Sequence, residues 1–433
     1  VSAPNPAGNP ATSSLGRRRI GGGAGSRRGG RISGLDLARF LALIGMMATH
    51  VWVTNADGST PALAAFLGGK AAALFAVLAG IGVVLTTQRQ RERRAFGAAA
   101  LNVFGRGLAL MLIGMTLGLV PTPIAVILVY YGLVFWLLIP LLRLSNLSLL
   151  MVATAWAGLW PFLSMLLRAP LNVGSELGTP NWFDLAHPLE LLRGLFVTGT
   201  YPVLTWVVYA IVGMVVGRML LAARERGTIL QLSFGLTAVG ALLALVGVGI
   251  SMLLAGPFGG LNSIGASTGT GAQASELFYS AAFGTTPTES SWFLASPAPH
   301  SGTTFDLAIT AGTSLIAIGL CLAVCLRLGD TAIRVLGPAL GAGATPLTIY
   351  ALHVVVAGVT YTTLVSGGWL AEAPELFWLV SSAPIWLIHV AGALAVGAVF
   401  FWWQRRGPLE AAVTWTGQRF AALAAPRASQ TVE

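Results

Sequence analysis

Apolar residues run along this chain in long, nearly unbroken stretches, not in the short alternating or one-faced patterns of a soluble domain. A helix needs about 20 such residues to cross the hydrocarbon layer of a bilayer. By that ruler, spans are expected at 35–53, 63–86, 98–119, 123–142, 147–167, 201–221, 229–254, 305–327, 342–365 and 376–403. The pattern therefore predicts an all-α fold, a polytopic transmembrane helical bundle of about ten spans. Its third and fourth members are separated only by Pro121-Thr122-Pro123, which makes that hairpin the least sharply drawn. No repeat of the helix pattern is evident.

Composition strengthens this picture. Hydrophobic residues make up 55% of the chain and charged residues only 9%, against about 25% charged in an average soluble domain. The net charge of +10 raises nucleic acid as a partner, but the basic residues lie between apolar segments and not on a polar face interleaved with aromatics. The lipid bilayer is the expected partner, and nucleic acid is not.

Basic residues also orient the bundle. With the N-terminus inside, the cytoplasmic segments hold 22 of the 25 Lys and Arg residues, leaving Lys70, Arg168 and Arg193. Short positive loops stay in the cytoplasm as membrane chains insert, so both termini are expected there. Residues 1–32, with Arg17-Arg18-Arg19 and Arg27-Arg28, read as a disordered basic cytoplasmic arm. The transmembrane domain is expected over 33–407, followed by a cytoplasmic C-terminal tail over 408–433. Cys321 and Cys325, four apart in one apolar segment, have poor geometry for a disulfide and read as structural.

Two outer segments, 168–200 and 255–304, are long, and nine of the fifteen acids fall on the outer side. The first carries Asn181-Trp182-Phe183-Asp184 and His187, the second Trp292, Phe293, Pro297 and His300. Solvated loops are the plain interpretation. Trp and Asn/Asp side chains also suit a sugar surface, stacking on the ring and bonding its hydroxyls.

Titratable groups at membrane depth are costly, and each is a candidate for function. His50 closes the first span near the outer face, Lys70 lies near the outer end of the second, and Arg106 lies in the inner third of the third. His353 and His389 sit near mid-depth in the ninth and tenth. A histidine beside a water-filled cavity can act as a general base. The alternative is a histidine that only bonds a neighbouring helix, the preferred reading for His389. No pair of these histidines has helical metal-ligand spacing, so no metal is expected. No phosphate loop and no Gly-x-Ser-x-Gly elbow occurs.

The first span, Gly34-Leu35-Asp36-Leu37-Ala38-Arg39-Phe40 through Gly45-Met46-Met47-Ala48-Thr49-His50, resembles the opening of the heparan-alpha-glucosaminide N-acetyltransferase-like bacterial families. These include the YeiB-type domain and belong to a wider transmembrane acyltransferase group. Gly69-Lys70-Ala71 through Gly80 resembles the next block, with Lys70 where Arg is about as common. Gly199-Thr200-Tyr201-Pro202 through Gly217-Arg218, Pro299-His300-Ser301-Gly302, Pro346-Leu347-Thr348-Ile349-Tyr350-Ala351-Leu352-His353 and Gly407-Pro408-Leu409-Glu410 follow in family order.

The resemblance implies a multi-pass protein of the bacterial plasma membrane that moves an acyl group, acetyl in the first instance, from cytosolic acyl-CoA to an extracytoplasmic sugar or glycolipid acceptor. It also offers His50 for the role played by a lumenal-side histidine in eukaryotic relatives. The residues fit this reaction. Asp36 and Arg39 stand one turn apart at the cytoplasmic start of the first span; with Arg106 and the Arg89–Arg94 run, Arg39 would meet the phosphates of coenzyme A. From Arg39 to His50 the helix rises about 16 Å, within reach of a pantetheine arm. His50 would deprotonate the acceptor or, as the second choice, carry the acyl group itself; Lys70 or His353 would steady the thioester oxygen or orient His50, and Trp182, Asp184 and His300 would hold the acceptor. Two other readings remain open: a proton-coupled transporter of a small solute or lipid, and a non-enzymatic envelope scaffold. A homo-oligomer is compatible with each.

Overall fold

The computed structural model describes residues 32–55, 57–171, 176, 178–268, 271–280 and 282–424. Nearly all of the expected basic arm and the last part of the tail lie outside the described residues. Among those described, no strand forms beyond one isolated bridge between Glu176 and Gly199.

The helices are α1 (Ser33–Val51), α2 (Ala62–Leu67), α3 (Lys70–Glu92), α4 (Phe96–Leu117), α5 (Leu128–Leu138) and α6 (Asn146–Arg168). Then come α7 (Pro188–Arg193), α8 (Val203–Arg226), α9 (Ile229–Ala255), α10 (Gly260–Thr268), α11 (Gly271–Tyr279) and α12 (Thr304–Arg327). The chain closes with α13 (Asp330–Val335), α14 (Gly337–Ala344), α15 (Pro346–Tyr361), α16 (Trp369–Glu372), α17 (Ala383–Trp403) and α18 (Pro408–Ala422). Among the described residues, nine segments are long and apolar enough to cross a membrane. The fold is an all-α, multi-pass membrane bundle.

The expected span over 123–142 forms only the 11-residue α5. Pro121 and Pro123 delay helix formation to residue 128, and Pro140 opens a tighter turn over Pro140–Arg143. A short helix is tolerable here because protein, not lipid, surrounds it. Leu128 to Phe135 is buried without a break. The Tyr131 hydroxyl donates to the Ala72 carbonyl at 3.0 Å, and the Trp136 indole to that of Phe104 at 3.0 Å.

Of the nine long apolar segments, those of α1, α3 and α8 are the most enclosed, while α9 and α17 turn most of their side chains outward. Leu242, Leu245 and Met252 are exposed on α9, as are Leu387 and Ile388 on α17. In a bilayer those faces meet acyl chains. Helices cannot associate through hydrophobic burial when lipid is equally apolar, so close backbone contact matters instead. In the α3–α8 pair, a methyl group on Gly80 would lie 2.0 Å from the Ala210 carbonyl oxygen, and one on Gly213 would lie 2.0 Å from that of Val77.

The two long connections are folded segments. Residues 181–198 form a capped turn over Trp182–Ala186, then α7 and a wide turn over Gly194–Thr198. The stretch after α9 builds a small second core in which Phe278 and Phe293 are fully buried against Met165, Ile264 and Ala274. Trp292 packs on this core. Cys321 and Cys325 are free thiols.

After α17, helix α18 packs along α4. At its start, Glu410 reaches the first turn of α15. Its carboxylate accepts the Leu347 and Thr348 amides at 2.7 and 3.1 Å and the Thr348 hydroxyl at 2.6 Å. The N-cap residue of α15, Thr345, directs its hydroxyl to the Gly341 carbonyl, 2.9 Å away. Glu410 therefore caps α15 from another part of the chain, with its negative charge at the positive end of the helix dipole.

Candidate functional site

Three helices bring histidines together at the end of the bundle where α1 finishes. His50 Nδ1 lies 3.1 Å from His353 Nε2. His353 Nδ1 lies 3.0 Å from His389 Nδ1. The His50 and His353 rings are nearly parallel, 13° apart, whereas His389 meets His353 edge-on at 83°.

Local structure explains the convergence. Helix α1 ends at Val51, whose carbonyl accepts the Ser382 amide at 3.0 Å just ahead of α17. Beside it, the Ser381 hydroxyl accepts the amides of Val53 and Thr54, both at 3.0 Å. The Trp386 indole donates to the Ile44 carbonyl at 3.0 Å, and its ring stacks on Trp52. These bonds hold the end of α1 against the start of α17, so His50 and His389 fall at similar depth. His353 enters from α15, the helix that Glu410 caps.

His353 is 3% exposed, whereas His50 and His389 both line an open recess with Thr122, Pro123, Thr360 and Tyr361. The outer members of the chain of imidazoles thus meet a space that water can enter, and the middle member is sealed. Both nitrogens of His353 are taken up by the other two rings, which makes a hydrogen-bonded line and not a set of ligands aimed at one point. Among the described residues, no group of three His, Cys, Asp or Glu side chains is arranged to hold a metal ion.

A second polar group stands nearby, and His50 is within electrostatic reach of both His300 and His389. His300 adopts φ of +62° and Gly302 +67°, which turns the chain sharply before α12. The His300 ring lies against Tyr201 and Trp206, with centroids at 5.6 and 5.9 Å. Burial there pulls its pKa down to about 4, so the ring is neutral near pH 7. Its Nδ1 is buried without a protein partner, as is Oδ1 of Asp306. The other carboxylate oxygen of Asp306 accepts the Gly302 amide at 3.0 Å. Lys70 opens α3 after Gly69, at φ of +70°. It sits over the Phe66 ring at 5.2 Å and within electrostatic reach of Asp306.

The remaining candidates lie elsewhere. Asp36 and Arg39 form an ion pair at 2.8 Å near the start of α1. Arg106 lies under α18, where a methyl on Gly417 would be 2.6 Å from its Cγ, and its Nε is buried without a protein partner. Trp182 donates to the Thr116 hydroxyl at 3.3 Å. The Asp184 carboxylate accepts the Asn181 amide at 2.8 Å within the capped turn. Neither residue lines the histidine recess.

The structure thus brings His50, His353 and His300 into one region with Lys70, and adds two residues to it. His389 appeared in the sequence only as a helix-bonding histidine, because nothing within its own span marks its partner. Asp306 passed as one of many outer acids; its place in the first turn of a span, three residues after Thr303, was the available signal.

A protein-family model described as heparan-alpha-glucosaminide N-acetyltransferase, catalytic, matches residues 31–262. That region carries His50, Lys70 and Arg106, while His300, His353 and His389 lie beyond it. No curated protein matches the chain.

Proposed function

Since the chain belongs to the heparan-alpha-glucosaminide N-acetyltransferase catalytic family, a family of membrane acetyltransferase type, we propose that it transfers an acetyl group from cytosolic acetyl-CoA to an extracytoplasmic sugar or glycolipid. The observation that carries this reading is the contact of His50 with His353 beside an open recess. One imidazole nitrogen of His50 is engaged by His353, and this sets the ring's orientation. The other is available to take the proton of an acceptor hydroxyl or amine as it attacks the thioester carbonyl. No metal enters this scheme.

Lys70 supplies a cation for the oxygen that becomes negative in the tetrahedral intermediate. Arg39, held by Asp36, and Arg106 supply positive charge for the coenzyme phosphates. Trp182, Asp184 and His300 serve as acceptor contacts. The positive-inside rule puts the arginine-bearing end in the cytoplasm and His50 toward the other face of a bacterial plasma membrane. Donor and acceptor then approach the recess from opposite sides.

The test is acetyl transfer from labelled acetyl-CoA to glucosamine-terminated acceptors by protein in nanodiscs. His50→Ala should lower kcat by about 10²–10⁴-fold, the range of general base catalysis. Full turnover by that variant would remove His50 from the role. Solute flux driven by a pH gradient, with no transfer, would favour a transporter.

A further inference from the structure

The contacts of His353 engage both of its ring nitrogens, and the two partner rings open onto the same recess. A neutral imidazole has one donor and one acceptor, so three neutral rings satisfy both contacts in two complete arrangements. In the first, His50 Nδ1–H donates to His353 Nε2, and His353 Nδ1–H donates to His389 Nδ1. Nε2 of His50 then bears a free electron pair and Nε2 of His389 carries a proton. In the second, both bonds are reversed, Nε2 of His50 carries the proton and Nε2 of His389 is bare.

We propose that His50, His353 and His389 form a proton relay, in which the proton taken from the acceptor at His50 leaves the site at His389. This rests on the acetyl-transfer reading given above and adds the path of the proton to it. The acceptor's O–H or N–H bond breaks as its electron pair bonds the acyl carbon, and the proton goes to His50 Nε2. His50 passes its Nδ1 proton to His353, and His353 passes its own to His389. His389 releases its Nε2 proton into the recess, either to the thiolate formed when the acyl carbon–sulfur bond breaks or to water. One proton enters and one leaves, every ring stays neutral, and the line ends in its second arrangement. Exchange with water at the two open ends restores the first.

The physical advantage is the avoidance of charge. A lone His50 acting as base would become an imidazolium among apolar helices, where an unpaired charge is costly. The sealed middle ring suits a relay, because His353 can exchange protons only with its two neighbours. His389 and His353 are positioning and relay residues, and of the three linked histidines His50 is the one that touches the acceptor.

Two measurements test this on the full chain in nanodiscs. The first is the dependence of kcat on the deuterium fraction of the solvent, with acetyl-CoA and a glucosamine-terminated acceptor. Several protons moving together give a curved dependence in the native protein. His389→Gln, which keeps a polar side chain but cannot relay, should lower kcat about tenfold or more with KM unchanged and make the dependence linear. A linear dependence in the native protein, or native kcat and curvature in H389Q, would overturn the relay. The second is ¹⁵N magnetic resonance of histidine-labelled protein at neutral pH, which needs no turnover. Three neutral rings populating both tautomers are expected, with the pattern collapsing in H389Q. Charged rings, or a single fixed tautomer throughout, would overturn the relay even if transfer is observed. Absence of transfer alongside exchanging neutral rings would overturn the acetyl-transfer reading and leave the relay standing.

Discussion

Replacing Glu410 tests whether the C-terminal helix holds α15, and with it His353, in place. The carboxylate makes three hydrogen bonds of 2.6 to 3.1 Å to the first turn of α15. No side chain of α15's own N-cap does that work. A hydrogen bond to a charged group contributes about 1.5–3 kcal/mol. Three bonds on one partly exposed carboxylate are not additive, so Glu410→Ala should cost about 3 kcal/mol. Glu410→Gln keeps an acceptor oxygen for the amides and loses mainly the charge at the helix N-terminus, a cost of about 1 kcal/mol. Thermal unfolding in detergent, followed by tryptophan fluorescence, reads both. For a chain this long, 1 kcal/mol corresponds to about 1 °C in Tm, so the alanine variant should melt about 3 °C lower and the glutamine variant about 1 °C lower. Alanine and glutamine variants that both melt at the native temperature would refute the cap.

Three further outcomes follow from the same geometry. Gly80→Leu forces a side chain into the space of the Ala210 carbonyl, whose oxygen would lie 2.0 Å from the first carbon of that side chain; overpacking of about 3 kcal/mol or more should separate α3 from α8 and lower the yield of folded protein on size-exclusion chromatography, whereas Gly82→Ala, with open space around it, should not. Acid should destabilise the fold through His300, whose pKa falls from 6.5 to about 4 on burial. The unfolded chain binds a proton below pH 6.5 and the native ring does not until about pH 4, so stability present above pH 6.5 is lost as pH falls through that window, by up to about 3 kcal/mol. His300→Asn, which tolerates the left-handed backbone, should flatten this part of the Tm-against-pH curve; an unchanged slope would count against it. Ser381→Ala removes the acceptor for the Val53 and Thr54 amides and should cost about 1–3 kcal/mol, with acetyl transfer falling as His50 loses its alignment; native Tm and kcat together would argue otherwise.

Much of this protein is legible along the chain. Apolar length set the spans, because partition of a segment into hydrocarbon depends on its own residues and scarcely on its neighbours. Nine of the expected spans are found as long apolar helices, and the weak hairpin at Pro121-Thr122-Pro123 is where the pattern and the structure part. Proline chemistry shortened α5, but only enclosure by α4 and α8 makes a helix of 11 residues acceptable. The ordered blocks from Gly34 to Glu410 were also readable, and they pointed to the family.

The arrangement of the site was decided by packing. His50 and His353 are 303 positions apart and His353 and His389 are 36 apart, so no local period relates them. Their meeting depends on Ser381 and Ser382 tying α17 to α1 and on Glu410 holding α15. Hydropathy says that a segment enters the membrane, not which neighbour it faces or at what depth its polar groups align. Hydrogen bonds and close backbone contacts between distant helices decide that, and they turned three isolated histidines into one connected line.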